Sequence, residues 1–152
     1  MLDRDQEFDR AFMRCAEAIG ELSRCTRLKV GAIIVKEGNI ISMGYNGTPK
    51  GFENSCENVE NVLNPKTKKL EQVLVTKEEV LHAEANAITK AAKSTYSTEG
   101  SSIYCTDSCC FGCAKLIIQA GIICFYYKRE YRDKSGLQLL EKAGVKVTQV
   151  DY

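Results

Sequence analysis

His82-Ala83-Glu84 and Cys110-Phe111-Gly112-Cys113 are the two stretches of this chain whose residue types and spacing could do chemistry. The first offers an imidazole with a carboxylate two residues on. The second offers two thiols at the spacing that lets both grip a single metal ion. Two thiolates and a neutral imidazole suit zinc, and three protein ligands leave the fourth tetrahedral position to water, as in a catalytic rather than a structural site. Bound zinc lowers the pKa of that water from its bulk value to roughly 7. A carboxylate beside the water can carry its protons, so Glu84 is the expected shuttle and the chemistry expected is hydrolysis.

These side chains converge only if the surrounding elements place them correctly. On a regular helix, residues two apart point to nearly opposite sides. His82 and Glu84 therefore meet only if His82 sits at the very start of a helix, which the polar Glu78-Glu79 lead-in allows. Cys110 to Cys113 precedes Ala114-Lys115-Leu116-Ile117-Ile118-Gln119-Ala120, an apolar-rich run that ends at Gly121, a helix stop. Both thiols then lie in the first helical turn, where free backbone N–H groups and the helix dipole favour thiolate. A cysteine pair alone is as readily a redox couple or two buried small residues, and a lone histidine is more often packed or on the surface. Here the chain's only histidine stands two residues from a glutamate, followed by a short strand and the pair, and that combination favours the metal.

Composition agrees with a cytoplasmic enzyme. The 152 residues are expected to form one domain with a single sizeable core. A net charge of +1 gives no electrostatic case for long nucleic acid or a membrane surface as partner. The charged N-terminus Met1-Leu2-Asp3-Arg4-Asp5-Gln6-Glu7 lacks an apolar signal segment, and no apolar run reaches the length of a membrane span. The eight cysteines are accordingly expected to be reduced.

Helix and strand patterns alternate along the chain. Asp3 to about Leu22 reads as a helix with an apolar face of Phe8, Phe12, Cys15, Ala16 and Ile19. Val30–Val35 and Ile40–Tyr45 read as strands joined by the hairpin turn Lys36-Glu37-Gly38-Asn39. From about Gly47 to Val80 the chain is polar and is expected to be an irregular loop, with a turn at Asn64-Pro65. Helices are expected at His82–Lys93, Cys110–Gln119 and Ser135–Ala143, and strands at Ser102–Thr106, Ile122–Tyr127 and Val145–Val150. The sum is an α/β three-layer sandwich, a five-stranded mixed sheet with helices on both faces, in one domain spanning residues 1–152.

Five stretches, in order, carry a family resemblance: Ser23-Arg24-Cys25, Lys29-Val30-Gly31-Ala32, Gly44-Tyr45-Asn46-Gly47-Thr48-Pro49, His82-Ala83-Glu84-Ala85-Asn86-Ala87-Ile88 and Cys110-Phe111-Gly112-Cys113-Ala114-Lys115. With the tail Ile117-Ile118-Gln119-Ala120-Gly121-Ile122, the chain resembles the deoxycytidylate deaminases of phage-like or eukaryote-like type, within the zinc-dependent cytidine and deoxycytidylate deaminase superfamily. The resemblance implies a cytidine deaminase-like fold and hydrolysis of dCMP to dUMP and ammonia, feeding thymidylate synthesis. Water would attack C4 of cytosine, with one catalytic Zn2+ held by His82, Cys110 and Cys113 and with Glu84 as proton shuttle. It implies that Asn46 contacts the nucleotide, although an Asn before Gly is also an ordinary turn residue. It also implies a homohexamer activated by dCTP with Mg2+ and inhibited by dTTP, in the cytoplasm, or the host's if the chain is viral. The Gly44 to Pro49 segment, with Tyr45, Gly47 and Thr48, resembles the part that helps form the effector site. Arg24, Arg27 and Lys29 are candidates for the phosphate, with a solvated basic turn nearly as good a reading of each taken singly.

The chain departs from the family in two places. Cys109 stands where relatives usually carry proline, and it could compete with Cys110 for the metal, though only Cys110 has the two-residue gap to Cys113. Some phage relatives hold a second, structural zinc with additional histidines. This chain has none to spare, so that site is expected to be absent or built from cysteines such as Cys25 and Cys56. The alternatives are a free-cytidine or tRNA-adenosine deaminase on the same fold and a non-catalytic zinc-stabilised module. Near-neutral charge weighs against the tRNA enzyme, and Glu84 against a purely structural site.

Overall fold

The computed structural model describes residues 1–152. The elements run α1 (Arg4–Gly20), β1 (Gly31–Lys36), β2 (Asn39–Tyr45), β3 (Glu57–Leu63), β4 (Leu70–Thr76), α2 (Ala83–Ala92), β5 (Ser102–Asp107), α3 (Phe111–Gln119), β6 (Cys124–Arg129), α4 (Ser135–Lys142) and β7 (Lys146–Gln149). Five strands form one mixed sheet in the order β2-β1-β5-β6-β7. The pairs β2/β1 and β1/β5 are antiparallel, and β5/β6 and β6/β7 are parallel.

Local chemistry explains the main boundaries. Asp3 caps α1 by accepting the Gln6 N–H at 2.8 Å, while the Gln6 side chain accepts the Asp3 N–H at 3.3 Å. Between β1 and β2, Glu37 and Gly38 both take positive φ, 51° and 77°, the two-residue turn whose twist matches the flanking strands. Gly121, at φ 76°, stops α3, and the N–H groups of Gly121 and Ile122 bond to the carbonyls of Ile118 and Ile117. That stop consumes Ile122, so β6 begins at Cys124 rather than at Ile122.

Two cores follow from the two faces of the sheet. Ala32, Ile34, Ile103, Cys105 and Phe125 pack against Ala83 and Ala87 of α2, Ala114 and Ile117 of α3, and Leu137 and Leu140 of α4. On the other face Ile33, Val35 and Tyr104 meet Met13 and Ala16 of α1. The expected three-layer sandwich is therefore the fold of the main sheet. The inward face of α1 is corrected in part: Ala16 is buried with Phe12 and Ile19 packed beside it as expected, joined by Met13 and Gly20, whereas Phe8 and Cys15 are exposed. A Cβ at Gly31 would lie 1.9 Å from the Ala16 carbonyl, and this close backbone approach sets which stripe of α1 faces the sheet.

Two further expectations are corrected. The Gly47–Val80 segment is not irregular throughout: β3 and β4 pair antiparallel from Glu57↔Thr76 to Leu63↔Leu70 as a separate two-stranded sheet. Its turn is built by Asn64, whose Oδ1 accepts the N–H groups of Lys66 and Thr67. The strand signal was masked because Val59, Val62, Leu63, Leu70 and Leu74 remain exposed among charged neighbours. Nor are all thiols reduced. Cys25 and Cys56 form a disulfide, with Cα atoms 5.0 Å apart, because the hairpin folds back onto the segment before β1. The other six cysteines are free.

Candidate active site

Both helix starts bring chemistry to one place. His82 is the N-cap of α2, with φ −69° and ψ 155°, so its extended backbone turns the imidazole away from the helical spiral that carries Glu84. Cys110 is the N-cap of α3, and its Sγ accepts the Cys113 N–H at 3.4 Å. His82 Nδ1 lies 3.4 Å from Cys110 Sγ and 3.3 Å from Cys113 Sγ, and the three ligand atoms fall within 4.8 Å of one another. A tetrahedral zinc with ordinary Zn–S and Zn–N bonds separates its nitrogen and sulfur ligands by about 3.5 Å. The donor set and its spacing fit that ion. Cys109, the expected competitor, is fully buried in the core and is not part of the cluster.

Electrostatics within the cluster follow from its hydrogen bonds. The Cys113 thiol donates to Cys110, and this bond, with the contact to His82, holds the Cys110 thiol well below the ordinary thiol range. The same bond and burial push Cys113 upward. His82 is raised by its bond to Cys110. Glu84 is buried, and desolvation pushes its carboxyl up to about 7, where it can both take and give a proton at neutral pH.

A cavity of about 380 Å³ opens over this cluster, with His82, Ala83, Glu84 and Cys110 in its lining. Asp107 and Tyr131 contribute from the end of β5 and from the segment after β6. Glu57 and Thr76 contribute from β3 and β4, and Arg27 from the segment before β1. Glu57 accepts the N–H groups of Thr26 and Arg27 at 2.9 and 3.1 Å, and Arg27 Nη1 reaches Thr76 Oγ1 at 3.4 Å. Together with the disulfide, these bonds fasten the hairpin to the cavity.

The other sequence candidates divide. Asn46 lines the cavity, but its Oδ1 accepts the Val30 N–H at 2.8 Å and its Nδ2 donates to the Leu28 carbonyl at 2.7 Å. Of the three cations only Arg27 is in the lining: Arg24 is exposed and outside it, and Lys29 borders a different cleft. Tyr45, Gly47 and Thr48 line a second cleft of about 450 Å³ with Lys50, Lys90 and Lys93. Gly44 is not part of it, because a Cβ there would meet the Ala83 carbonyl and the Ala87 nitrogen at 2.5 Å. Its role is to let α2 approach β2. Sequence reasoning missed Asp107, Tyr131, Glu57 and Thr76. Asp107 carried a usable signal, a carboxylate at a strand end three residues before Cys110. The hairpin residues carried none.

Residues 6–128 match the family model of the cytidine and deoxycytidylate deaminase zinc-binding region. The chain belongs to this family. This deaminase is 35% identical over 169 aligned positions to the deoxycytidylate deaminase of Enterobacteria phage T2, covering 91% of the chain and 89% of the relative. It is 32% identical to the deoxycytidylate deaminase of Saccharomyces cerevisiae, with 95% of the chain spanning 45% of the yeast protein. Among solved structures, the dCMP deaminase of cyanophage S-TIM5 in complex with dCMP and dUMP superposes with a TM-score of 0.81 at 41% identity, covering 98% of this chain and 99% of that one. The cytidine deaminase-like fold expected from the sequence is thus the fold found. No helix of the deaminase is long and apolar enough to cross a membrane.

Proposed function

We propose that this deaminase hydrolyses dCMP to dUMP and ammonia, with His82, Cys110 and Cys113 holding one zinc ion and Glu84 moving the protons. The observation that carries the reading is the buried Glu84 carboxyl lining the same cavity as His82 and Cys110. The names of the relatives and the dCMP- and dUMP-bound phage structure support the substrate. When bound, zinc supplies a water ligand that ionises near neutrality. Glu84 would take one proton of the attacking water and pass it to N3 of the cytosine ring, then take the remaining hydroxyl proton at C4 and hand it to the amino group, which leaves as ammonia. Its carboxyl, raised to about 7, suits both directions of transfer.

Arg27 is the cation proposed for the 5′-phosphate, because Glu57 and Thr76 hold it in the cavity wall and a guanidinium binds phosphate through charge-assisted bonds. Asn46 is proposed to fix the wall on which the sugar rests, with one amide hydrogen still free to meet it. For regulation, the lysines of the second cleft, beside Tyr45, Gly47 and Thr48, suit a triphosphate. It is the family resemblance that supports dCTP with Mg2+ as activator and dTTP as inhibitor of a homohexamer. The proposed setting is the cytoplasm, and the proposed role is to feed thymidylate synthesis.

The test is ammonia release by zinc-loaded protein from dCMP, deoxycytidine, cytidine and dCTP. Fastest release from dCMP is expected. Equal turnover of deoxycytidine and dCMP would favour a nucleoside deaminase, and no release from any substrate would favour a non-catalytic module.

A further inference from the structure

We propose that Asp107 sets the sugar specificity of the cavity, accepting a hydrogen bond from the 3′-hydroxyl of the bound nucleotide while Arg129 holds its carboxylate in place. The assignment rests on the dCMP reading and deepens it.

Asp107 ends β5, three residues ahead of Cys110, and its side chain is only 6 % exposed. Its Oδ1 accepts a bond from Arg129 Nε at 2.6 Å. Arg129 Nη2 in turn donates to the Lys29 carbonyl at 3.3 Å, so the guanidinium bridges the end of β6 to the segment entering β1. The carboxylate is thereby fixed in direction. Its second oxygen, Oδ2, accepts no bond from the chain. No buried side-chain oxygen or nitrogen of the molecule lacks a partner, so Oδ2 keeps an opening to solvent, and Asp107 lines the cavity above the zinc-ligand cluster. Burial pushes the Asp107 carboxyl upward and Arg129 pulls it back. The pairing lets an acid stand in a cavity for a phosphorylated ligand without presenting uncompensated negative charge to it.

A nearly buried acceptor with one open oxygen is completed by a donor. The nucleoside part of dCMP has two, the 4-amino group of the base and the 3′-hydroxyl of the sugar. The amino group is the leaving group and must lie at the metal cluster within reach of Glu84. The hydroxyl remains. Competing acceptors in the lining are committed elsewhere or better hydrated: Asn46 Oδ1 is taken by the Val30 N–H, and Glu57 Oε1 accepts two backbone N–H groups while its side chain is less buried than that of Asp107.

The experiment compares kcat/KM for ammonia release from dCMP and from 2′,3′-dideoxycytidine 5′-monophosphate, which lacks only the 3′-hydroxyl. The zinc-loaded wild type should prefer dCMP by about tenfold or more, the usual loss when a bond to a charged acceptor is removed. In Asp107→Leu the preference should collapse to within about twofold of unity. Arg129→Met, at a side chain that is 56 % exposed, should reduce the preference by freeing the carboxylate to turn. In Glu57→Gln the ratio should persist. A wild type that does not distinguish the two nucleotides overturns the proposal. So does an Asp107→Leu variant that loses both activities in equal proportion, which is the signature of a structural role, or a ratio that collapses in Glu57→Gln instead. If Asp107→Leu does not fold, an Arg129→Met ratio equal to that of the wild type overturns it. A wild type that releases no ammonia from dCMP removes the dCMP reading itself, a separate failure that takes this assignment with it.

Discussion

His82 and Glu84 illustrate how much one backbone conformation decides. Because His82 is extended and Glu84 helical, two side chains that a continuous helix would set on nearly opposite sides line one cavity. The division of labour between ligands and shuttle is testable by substitution. Cys113→Ala should lose both bound zinc and activity, read by metal analysis and ammonia release. Glu84→Gln should keep the metal and lose turnover by about 10²–10⁴-fold, since an amide does not shuttle protons. The raised carboxyl of Glu84 also has a stability consequence in metal-free protein. Folding favours its protonated form, so the group is harmless below its ordinary value of 4.5 and increasingly costly as pH rises toward about 7. In denaturant titrations of metal-free protein, the stability of the wild type relative to Glu84→Gln should fall across that window by up to about 3 kcal/mol, a comparison in which the titration of Cys110 and His82 cancels.

At the level of elements, two close fits hold the site together. The first is α2 against β2 at Gly44, where an added methyl would sit 2.5 Å from backbone atoms that cannot move independently of the helix. Gly44→Ala should therefore destabilise the protein by about 1–3 kcal/mol in thermal or denaturant unfolding, and should lower kcat by shifting the helix that carries Glu84. The second is the β3–β4 hairpin, tied to the cavity by Cys25–Cys56 and by the bonds from Glu57. The disulfide closes a sequence separation of 31 residues, for which chain-entropy arguments give roughly 3–4 kcal/mol. Dithiothreitol, or Cys56→Ser, should lower the unfolding midpoint, and by loosening Arg27 should raise KM for dCMP more than it lowers kcat.

For the whole molecule, the cavity at the ligand cluster and the lysine-lined cleft share one short stretch: Asn46 lines the first, while its neighbours Tyr45, Gly47 and Thr48 line the second. An effector acts only through different affinities for two states of the protein. A ligand at the second cleft that moves Tyr45 or Gly47 moves the residue between them, and Asn46 is bonded to both Leu28 and Val30 of the cavity wall. Curves of dCMP turnover against substrate concentration are expected to sharpen toward hyperbolic with dCTP and to become more sigmoidal with dTTP, in a protein that sediments as a hexamer. Superimposable hyperbolic curves from a monomer would remove regulation while leaving the deamination chemistry intact.

The convergence of the candidate metal ligands was legible in the sequence because its geometry is local. A two-residue and a three-residue spacing, each at a helix start, define where His82, Glu84, Cys110 and Cys113 point almost regardless of the rest of the fold. The five-stranded sheet was legible for a related reason, since its buried strands are short apolar runs bounded by turn residues. The sequence did not disclose the β3–β4 pairing, whose aliphatic residues stay exposed, or the Cys25–Cys56 bond. It was equally silent on the Asp107–Arg129 pair, the internal use of the Asn46 amide and the selection of Arg27 over Arg24 and Lys29. Apart from the hairpin, each of these depends on segments that meet only after the chain has folded, 31 residues apart for the disulfide and 22 for the ion pair. Contacts at such separations leave no period or spacing in the chain, so only the packed tertiary structure selects them.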